Sequence, residues 1–353
     1  MNYLKTAVLG IDDASCLLLE TASKIPYFQI QAVADKDTKL AEKIAAEYQC
    51  TAYDDYRQLI IQNQFDCLLV AAGMHSCDEY VRMAMKKKCN VLKLSPPARN
   101  FEEAAEFVRL AESENVKFAV ANPGRFSAGF TALHQFIQQG GIEQIFLITA
   151  VCAAGNQNFA PWETDPRLSG GGVLLRNSYQ LIDQLMCNFE IPQHVYCLTT
   201  NQATDKKQRL YLTEDIAVLT LKFSDTCFGS LLASRQSGIG TEKQIIKVYG
   251  KDKILTAGNN QFSVCDGTGQ ICEQYDYDEN PSDCTKKVLE NFALGILMPD
   301  KNRICSSAGE NLRNMALIES AYLSARTGMP EEPARILRMA QVEPIILWPA
   351  GNK

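Results

Sequence analysis

The stretch TAVLGIDDAS, residues 6–15, decides the fold. An apolar run that ends at Gly10 and passes at once into a polar, helix-starting segment is the pattern of a parallel strand turning into a helix. In a phosphate loop of the form G-x-G-x-x-G, the second glycine lets the backbone approach a pyrophosphate. The helix amino end behind it supplies amides and a positive dipole end. Here Gly10 holds the first position, and Asp12 and Ser15 stand at the second and third. A carboxylate at the second position brings bulk and negative charge to the place where a phosphate would lie. Asp12, or its neighbour Asp13, can equally cap the helix and satisfy those amides from within the chain. A dinucleotide loop with an obstructed approach and a self-capped turn are the two readings of this stretch.

Working outward, short apolar runs alternate with helical patterns over the first 120 or so residues. Strands are predicted in KTAVLG (5–10), FQIQAVAD (28–35), FDCLLVAA (65–72), NVLKLS (90–95) and VKFAVAN (116–122). Helices are predicted in CLLLETASKI (16–25), TKLAEKIAAEYQ (38–49), CDEYVRMAMKKK (77–88) and FEEAAEFVRLAESEN (101–115). That alternation implies a parallel, doubly wound sheet, whose ligands bind at the carboxyl ends of the strands. Beyond GFTALHQFIQQGG the texture changes to strand-like runs such as QIFLITAVC (144–152), DIAVLTLKFS (215–224) and CFGSLLASR (227–235). These predict a large, mostly antiparallel open sheet covered on one face by helices, including those in residues 170–189 and 308–328. The expected division is therefore an N-terminal Rossmann-type domain over 1–122 and a C-terminal α/β domain over 123–353. The apolar tail EPIILWPAGNK (343–353) is expected to dock on the body or on a partner chain.

Bulk properties exclude several classes. The chain has 353 residues, 46% hydrophobic and 22% charged, with a formal net charge of −6. That mix describes an ordinary globular protein, and without a basic run it argues against a nucleic-acid partner. No apolar run reaches the roughly 20 residues of a membrane span, and the N-terminus lacks the apolar core of a signal peptide. The thirteen cysteines include no C-x-x-C pair, which points to reduced thiols in the cytoplasm and to no metal site.

Four stretches together resemble the Gfo/Idh/MocA oxidoreductases, the glucose–fructose oxidoreductase and inositol dehydrogenase group. They are VADKD (33–37), TAYDDYRQLI (51–60), PWETDPRLSGGGVLLRNSYQLID (161–183) and LIESAYLSARTG (317–328). The resemblance implies a nicotinamide dinucleotide and a small hydroxylated or carbonyl substrate. It also implies a homo-oligomer built through the open C-terminal sheet. Asp35 takes the place of the ribose-binding carboxylate, which favours NAD over NADP, and His75 and Pro96 fall on the cofactor side. A cis bond before Pro96 is expected from the family's lysine–proline step.

The catalytic positions depart from the family. Its E-K-P segment is here Leu94, Ser95 and Pro96, so Ser95 replaces the lysine; in the later block Arg176 replaces an aspartate, Gln180 replaces the histidine, and Asp183 is kept. A histidine titrates near neutrality and can take the proton of a reacting hydroxyl, whereas a glutamine amide cannot. Lys93 lies on the same strand face as Ser95. Its stem either reaches the site or, as favoured for a strand-end lysine, runs out to solvent. Spacings of four and three place Arg176, Gln180 and Asp183 on one helix face. Arg176 and Arg125 either clamp an anionic ligand, or Arg176 pairs with Asp183 or another acid and plugs the cleft. Two functions compete: an oxidoreductase with an unusual site, and a catalytically degenerate ligand-binding, regulatory or assembly protein on the same fold. A non-redox activity on the inherited scaffold is a third.

Overall fold

A computed structural model of the chain describes residues 3–154, 160–202, 212–235 and 243–340. The tail over 343–353 lies outside them. The described chain divides into two compact units, Met1–Pro123 with Asn280–Asn311, and Gly124–Glu279 with Leu312–Lys353.

The first unit alternates strand and helix: β1 (Leu4–Leu9), α1 (Asp13–Ser23), β2 (Phe28–Ala34), α2 (Thr38–Tyr48), β3 (Thr51–Tyr53), α3 (Tyr56–Gln62), β4 (Cys67–Val70), α4 (Met74–Lys86), β5 (Asn90–Leu94), α5 (Phe101–Ser113) and β6 (Phe118–Ala121). The six strands are parallel, in the order β3-β2-β1-β4-β5-β6 of a dinucleotide-binding fold. Short side chains turn the chain from strand or loop into helix. Asp12, Asp37, Asp55 and Asn100 each accept an amide from the first turn of α1, α2, α3 and α5. The α4 helix starts at Gly73 with no side-chain cap.

The second unit carries α6 (Ala128–Gln138), β7 (Leu147–Ala153), α7 (Pro166–Ser169), α8 (Tyr179–Asn188), β8 (His194–Thr200), β9 (Ile216–Lys222), β10 (Phe228–Ser234), β11 (Lys243–Tyr249), β12 (Lys253–Gly258), β13 (Gln261–Asp266) and β14 (Ile271–Asp276). Its eight strands run in the order β14-β13-β12-β11-β7-β10-β9-β8, antiparallel except for the β7–β10 pair. Alternate residues such as Cys197, Leu219, Leu231 and Ile246 are buried, whereas Leu198, Val218 and Leu232 face outward. After β14 come α9 (Pro281–Leu297), α10 (Ala308–Thr327) and α11 (Pro333–Met339).

Two features of the architecture differ from the sequence reading. The strands β3, β13 and β14 and the helices α3, α7, α9 and α11 were not anticipated; β14 is exposed at every position, so it carries no alternation to detect. The chain also returns to the first unit over 280–311, a return absent from the two-part division at 122/123. There α9 packs on α1 and β6, and Ser306 hydrogen-bonds the backbone of Val120. All thirteen cysteines are free thiols, and six of them are buried.

Gly10 shows why the β1 loop needs glycine. Its φ is +87°, and a Cβ there would stand 2.4 Å from the backbone nitrogen of Ala72. Gly140 has a similar φ of +72° with nothing within 4 Å. Gly10→Ala should therefore cost about 2–5 kcal/mol, strain plus overlap, against about 1–2 kcal/mol for Gly140→Ala. Equal losses in chemical denaturation would refute the close approach.

Candidate functional site

In the first unit, the carboxyl ends of the parallel strands collect Gly10, Asp12, Asp35, His75, Ser95 and Pro96. The loop after β1 is closed by the chain's own groups. The Asp12 carboxylate accepts the Ser15 amide at 2.8 Å, and the Ser15 hydroxyl accepts the Asp12 amide at 2.6 Å. The Asp35 carboxylate accepts the amides of Ile11 and Asp37, both at 2.8 Å. The self-capped turn is thus the observed state. Three backbone donors at the amino end of α1, those of Ile11, Asp12 and Ser15, already have acceptors, and the Asp12 charge stands among them. This arrangement does not fit a pyrophosphate. Asp35 differs: each of its oxygens keeps a second lone pair, so the carboxylate can still accept from a hydroxyl.

His75 sits in the first turn of α4 and is exposed. Partial burial, together with the charges of Lys36 and Arg99, lowers its pKa below the ordinary histidine value, against an opposing pull from Asp78. The bond between Ser95 and Pro96 is cis. Lys93 requires a correction. It does not run to solvent: its side chain is 2% exposed and its Nζ lies 2.6 Å from Oδ1 of Asp78. Its ammonium also stands 5.3 Å from the Phe107 ring centre. A counter-ion and an aromatic face make enclosure tolerable, and they leave Lys93 unsuited to act on a ligand.

In the second unit, the segment 170–188 is not one helix. Val173–Asn177 forms a π-helical turn, and α8 begins after it at Tyr179. The amide of Ser178 reaches back five residues to Val173, which breaks the 3.6-residue phase. The shared face expected for Arg176, Gln180 and Asp183 therefore does not form; Arg176 belongs to the π turn, and Gln180 and Asp183 belong to α8. Glu214 pins that turn. Its carboxylate accepts the amides of Gly172 at 2.8 Å and Leu174 at 3.0 Å and the Tyr322 hydroxyl at 2.8 Å. A Cβ on Gly172 would meet the Glu214 carbonyl oxygen at 2.1 Å, which explains the glycine.

Arg176 pairs with Glu163 and lies 4.6 Å from the Trp162 ring centre. Asp183 is fully buried and takes a two-point bond from Arg125, both contacts at 2.7 Å, and a third from the Asn314 amide at 2.7 Å. The Arg176–Asp183 pairing is thus replaced by an acidic neighbour, Glu163. Arg125 and Arg176 each neutralise a separate carboxylate, which removes the spare charge that a two-arginine anion clamp requires. One donor, Arg176 Nη1, is buried and has no acceptor among the described residues. Tyr179 is held protonated: burial and then Asp183 push its pKa well up. Gln180 is half-buried beside Gly124.

Sequence reasoning missed Asp78, Glu163, Glu214, Asn314 and Tyr322. Glu163 had a local signal, an acid between Trp162 and Asp165-Pro166 in the recognised block. The others act across long sequence separations, and nothing in their neighbourhoods marks them.

Asp12→Gly tests the loop. Glycine is tolerated at a helix N-cap, so the stability loss should be only a few tenths of a kcal/mol. Removal of the charge and release of the Ser15 amide should tighten dinucleotide binding by about fivefold or more, roughly 1 kcal/mol. An unchanged affinity in the folded variant would place the obstruction elsewhere.

Comparison with known proteins places these features. Residues 4–122 match the model of the oxidoreductase family's NAD-binding Rossmann fold, and residues 134–332 match that of its C-terminal alpha/beta domain. The uncharacterized oxidoreductase YrbE of Bacillus subtilis is 19% identical over 93% of this chain and 96% of its own. D-apiose dehydrogenase of Rhizobium rhizogenes is 21% identical over 93% of this chain and 97% of its own. An oxidoreductase from Agrobacterium radiobacter, solved with NAD+, L-tartaric acid and magnesium, superposes with a TM-score of 0.81. It is 18% identical and covers 95% of this chain and all of its own. No helix among the described residues is long and apolar enough to cross a membrane. With both domain models matched in order over most of its length, the chain belongs to the Gfo/Idh/MocA oxidoreductase family.

Proposed function

We propose that this chain is a ligand-binding member of the family in which standard hydride chemistry has been lost. The observation that carries the reading is the absence of a proton acceptor at the positions the family uses. Ser95 and Gln180 replace the lysine and the histidine. Asp183 is committed to Arg125 and Asn314, and Tyr179 is buried and held protonated. General acid–base groups contribute about 10²–10⁴-fold each, so the loss is disabling for turnover. The ligand class is a small, oxygen-rich molecule, hydroxylated or carbonyl-bearing and with anionic members. The buried Nη1 of Arg176, over Trp162, is the donor that would meet its oxygen. Relatives that act on apiose or were solved with tartaric acid support that class.

An oxidoreductase with an altered site is the second reading, favoured by the placement of Asp35, which remains able to accept a ribose hydroxyl. On that reading the cofactor is NAD in preference to NADP.

The same proposal includes a homo-oligomer. Cross-strand register aligns Leu198, Val218, Leu232, Val151 and Ile245 in a row across β8, β9, β10, β7 and β11. Leu198, Val218 and Leu232 are exposed, as is Phe228 at the start of β10. A second copy covering this apolar row accounts for it.

Two measurements test the proposal. In a panel of polyols, sugars and hydroxy acids with NAD+ and NADP+, the native protein should show no turnover above background, while L-tartrate or a sugar raises its Tm. Robust oxidation with a single titrating base in the pH profile would overturn the degenerate reading. Sedimentation should show an oligomer that Val218→Lys dissociates; a native monomer would remove the sheet-face interface.

A further inference from the structure

The ion pair between Lys93 and Asp78 has no place in the chemistry above. It is nevertheless among the most costly features of the first unit. Both side chains are almost fully enclosed, 2% and 8% exposed. Oδ1 of Asp78 accepts from the ammonium at 2.6 Å and from the Cys77 thiol at 3.6 Å, while Oδ2 is buried without a hydrogen-bond partner among the described residues. The thiol is neutral, its pKa pushed up to about 11, chiefly by burial. The neighbours on β5 are Val91 and Leu92, wholly apolar and buried. An apolar pair would fill this space without the desolvation cost, and such replacements of buried pairs are often neutral or stabilising. Stability alone therefore does not account for it.

Its position does. Asp78 lies one turn into α4, five residues after Gly73, and α4 is the helix of the first unit's βα succession that has a cap site without a capping side chain. Lys93 lies two residues before Ser95. The two turns it separates, 73–76 and 95–99, both emerge at the carboxyl end of the parallel sheet. We propose that the Asp78–Lys93 pair is a positioning device that locks the amino-terminal turn of α4, bearing His75, to the end of β5, bearing Ser95 and Pro96. The pair supplies by a buried charge contact the fixation that a side-chain cap gives the neighbouring helices. The inference rests on the reading that this edge of the sheet is the ligand side, but its test does not depend on any ligand.

The charged groups acting on His75 include Lys36 after β2, Arg99 after Pro96, and Asp78 on its own helix. Lys36 and Arg99 hold its pKa down, and Asp78 holds it up. Deleting a carboxylate at fixed geometry would lower the His75 midpoint further. Loosening the turn would move His75 away from partial burial and from Lys36 and Arg99, and its midpoint would rise toward the ordinary value of 6.5. The sign separates positioning from loss of the Asp78 charge, and hydrogen exchange of the same turn separates it from loss of the Lys93 charge.

The variant is Asp78→Leu with Lys93→Met, chosen because the single Lys93→Met would strand a buried carboxylate and is prone to unfold. His75 is titrated by NMR in the free protein, and amide hydrogen exchange is followed over residues 74–76 and 98–100. The double variant should keep its Tm within a few degrees, raise the His75 midpoint toward 6.5, and exchange these amides at least about tenfold faster. A midpoint that falls or stays, or exchange that is unchanged, overturns the proposal. A double variant that fails to fold overturns it as well, since the pair would then be needed for the fold itself.

Discussion

The reciprocal hydrogen bonds between Asp12 and Ser15 set the character of the molecule. A Rossmann fold delivers its first helix, amino end forward, to the ligand edge of the sheet, and the unpaired amides of that end are normally what it offers. Here a carboxylate one turn earlier accepts the offer from inside the chain. The loop gains a complete capping box, and the positive end of the helix dipole meets a resident negative charge. The same habit recurs elsewhere. Arg125 is bound by Asp183, Arg176 by Glu163, and Lys93 by Asp78. Cationic groups that could have faced a ligand are engaged by carboxylates of their own unit.

These pairs differ in what they do. Asp183 is saturated by three donors and fully buried, so it acts as a fixed counter-ion that anchors α8 to the 123–126 turn and to α10. Removing one partner of such a pair leaves an uncompensated charge, which typically costs about 3–5 kcal/mol. The Arg176–Glu163 pair is partly exposed and keeps one donor without an acceptor among the described residues. It is the pair with the capacity to exchange partners when a ligand arrives. Glu214 stands behind it, holding the π turn by two backbone amides and a tyrosine hydroxyl.

The sequence made five of the six parallel strands legible because they are apolar runs and most of the turns after them carry Asp or Asn at helix-starting positions; β3, three residues long, was not. The mixed sheet was legible in β7 to β12, and not in β13, which alternates but is short, nor in β14, which is exposed on both faces. The replacements Ser95, Arg176 and Gln180 stood out against the family pattern. Their environments did not. Lys93 looked like a strand-end lysine because its counter-ion, Asp78, is fifteen residues away on another element. The shared helix face of Arg176 and Asp183 failed because a π turn changes the angular step, and no residue in VLLRN announces one. Periodicity reports elements; the pairing of buried charges depends on tertiary contacts that no local window contains.

The central claim is that the chain itself occupies the Ser15 amide and sets the Asp12 carboxylate among the amides which a dinucleotide would need. The direct measurement is calorimetric titration of the native protein with NADH and with NAD+ at moderate ionic strength. Groups already satisfied must be pulled from their partners before they can bind, and a resident carboxylate repels the pyrophosphate. The account predicts no saturable binding tighter than about 1 mM, near −4 kcal/mol. A dissociation constant of about 10 μM or below would contradict it, because that affinity requires an open phosphate cradle at the amino end of α1.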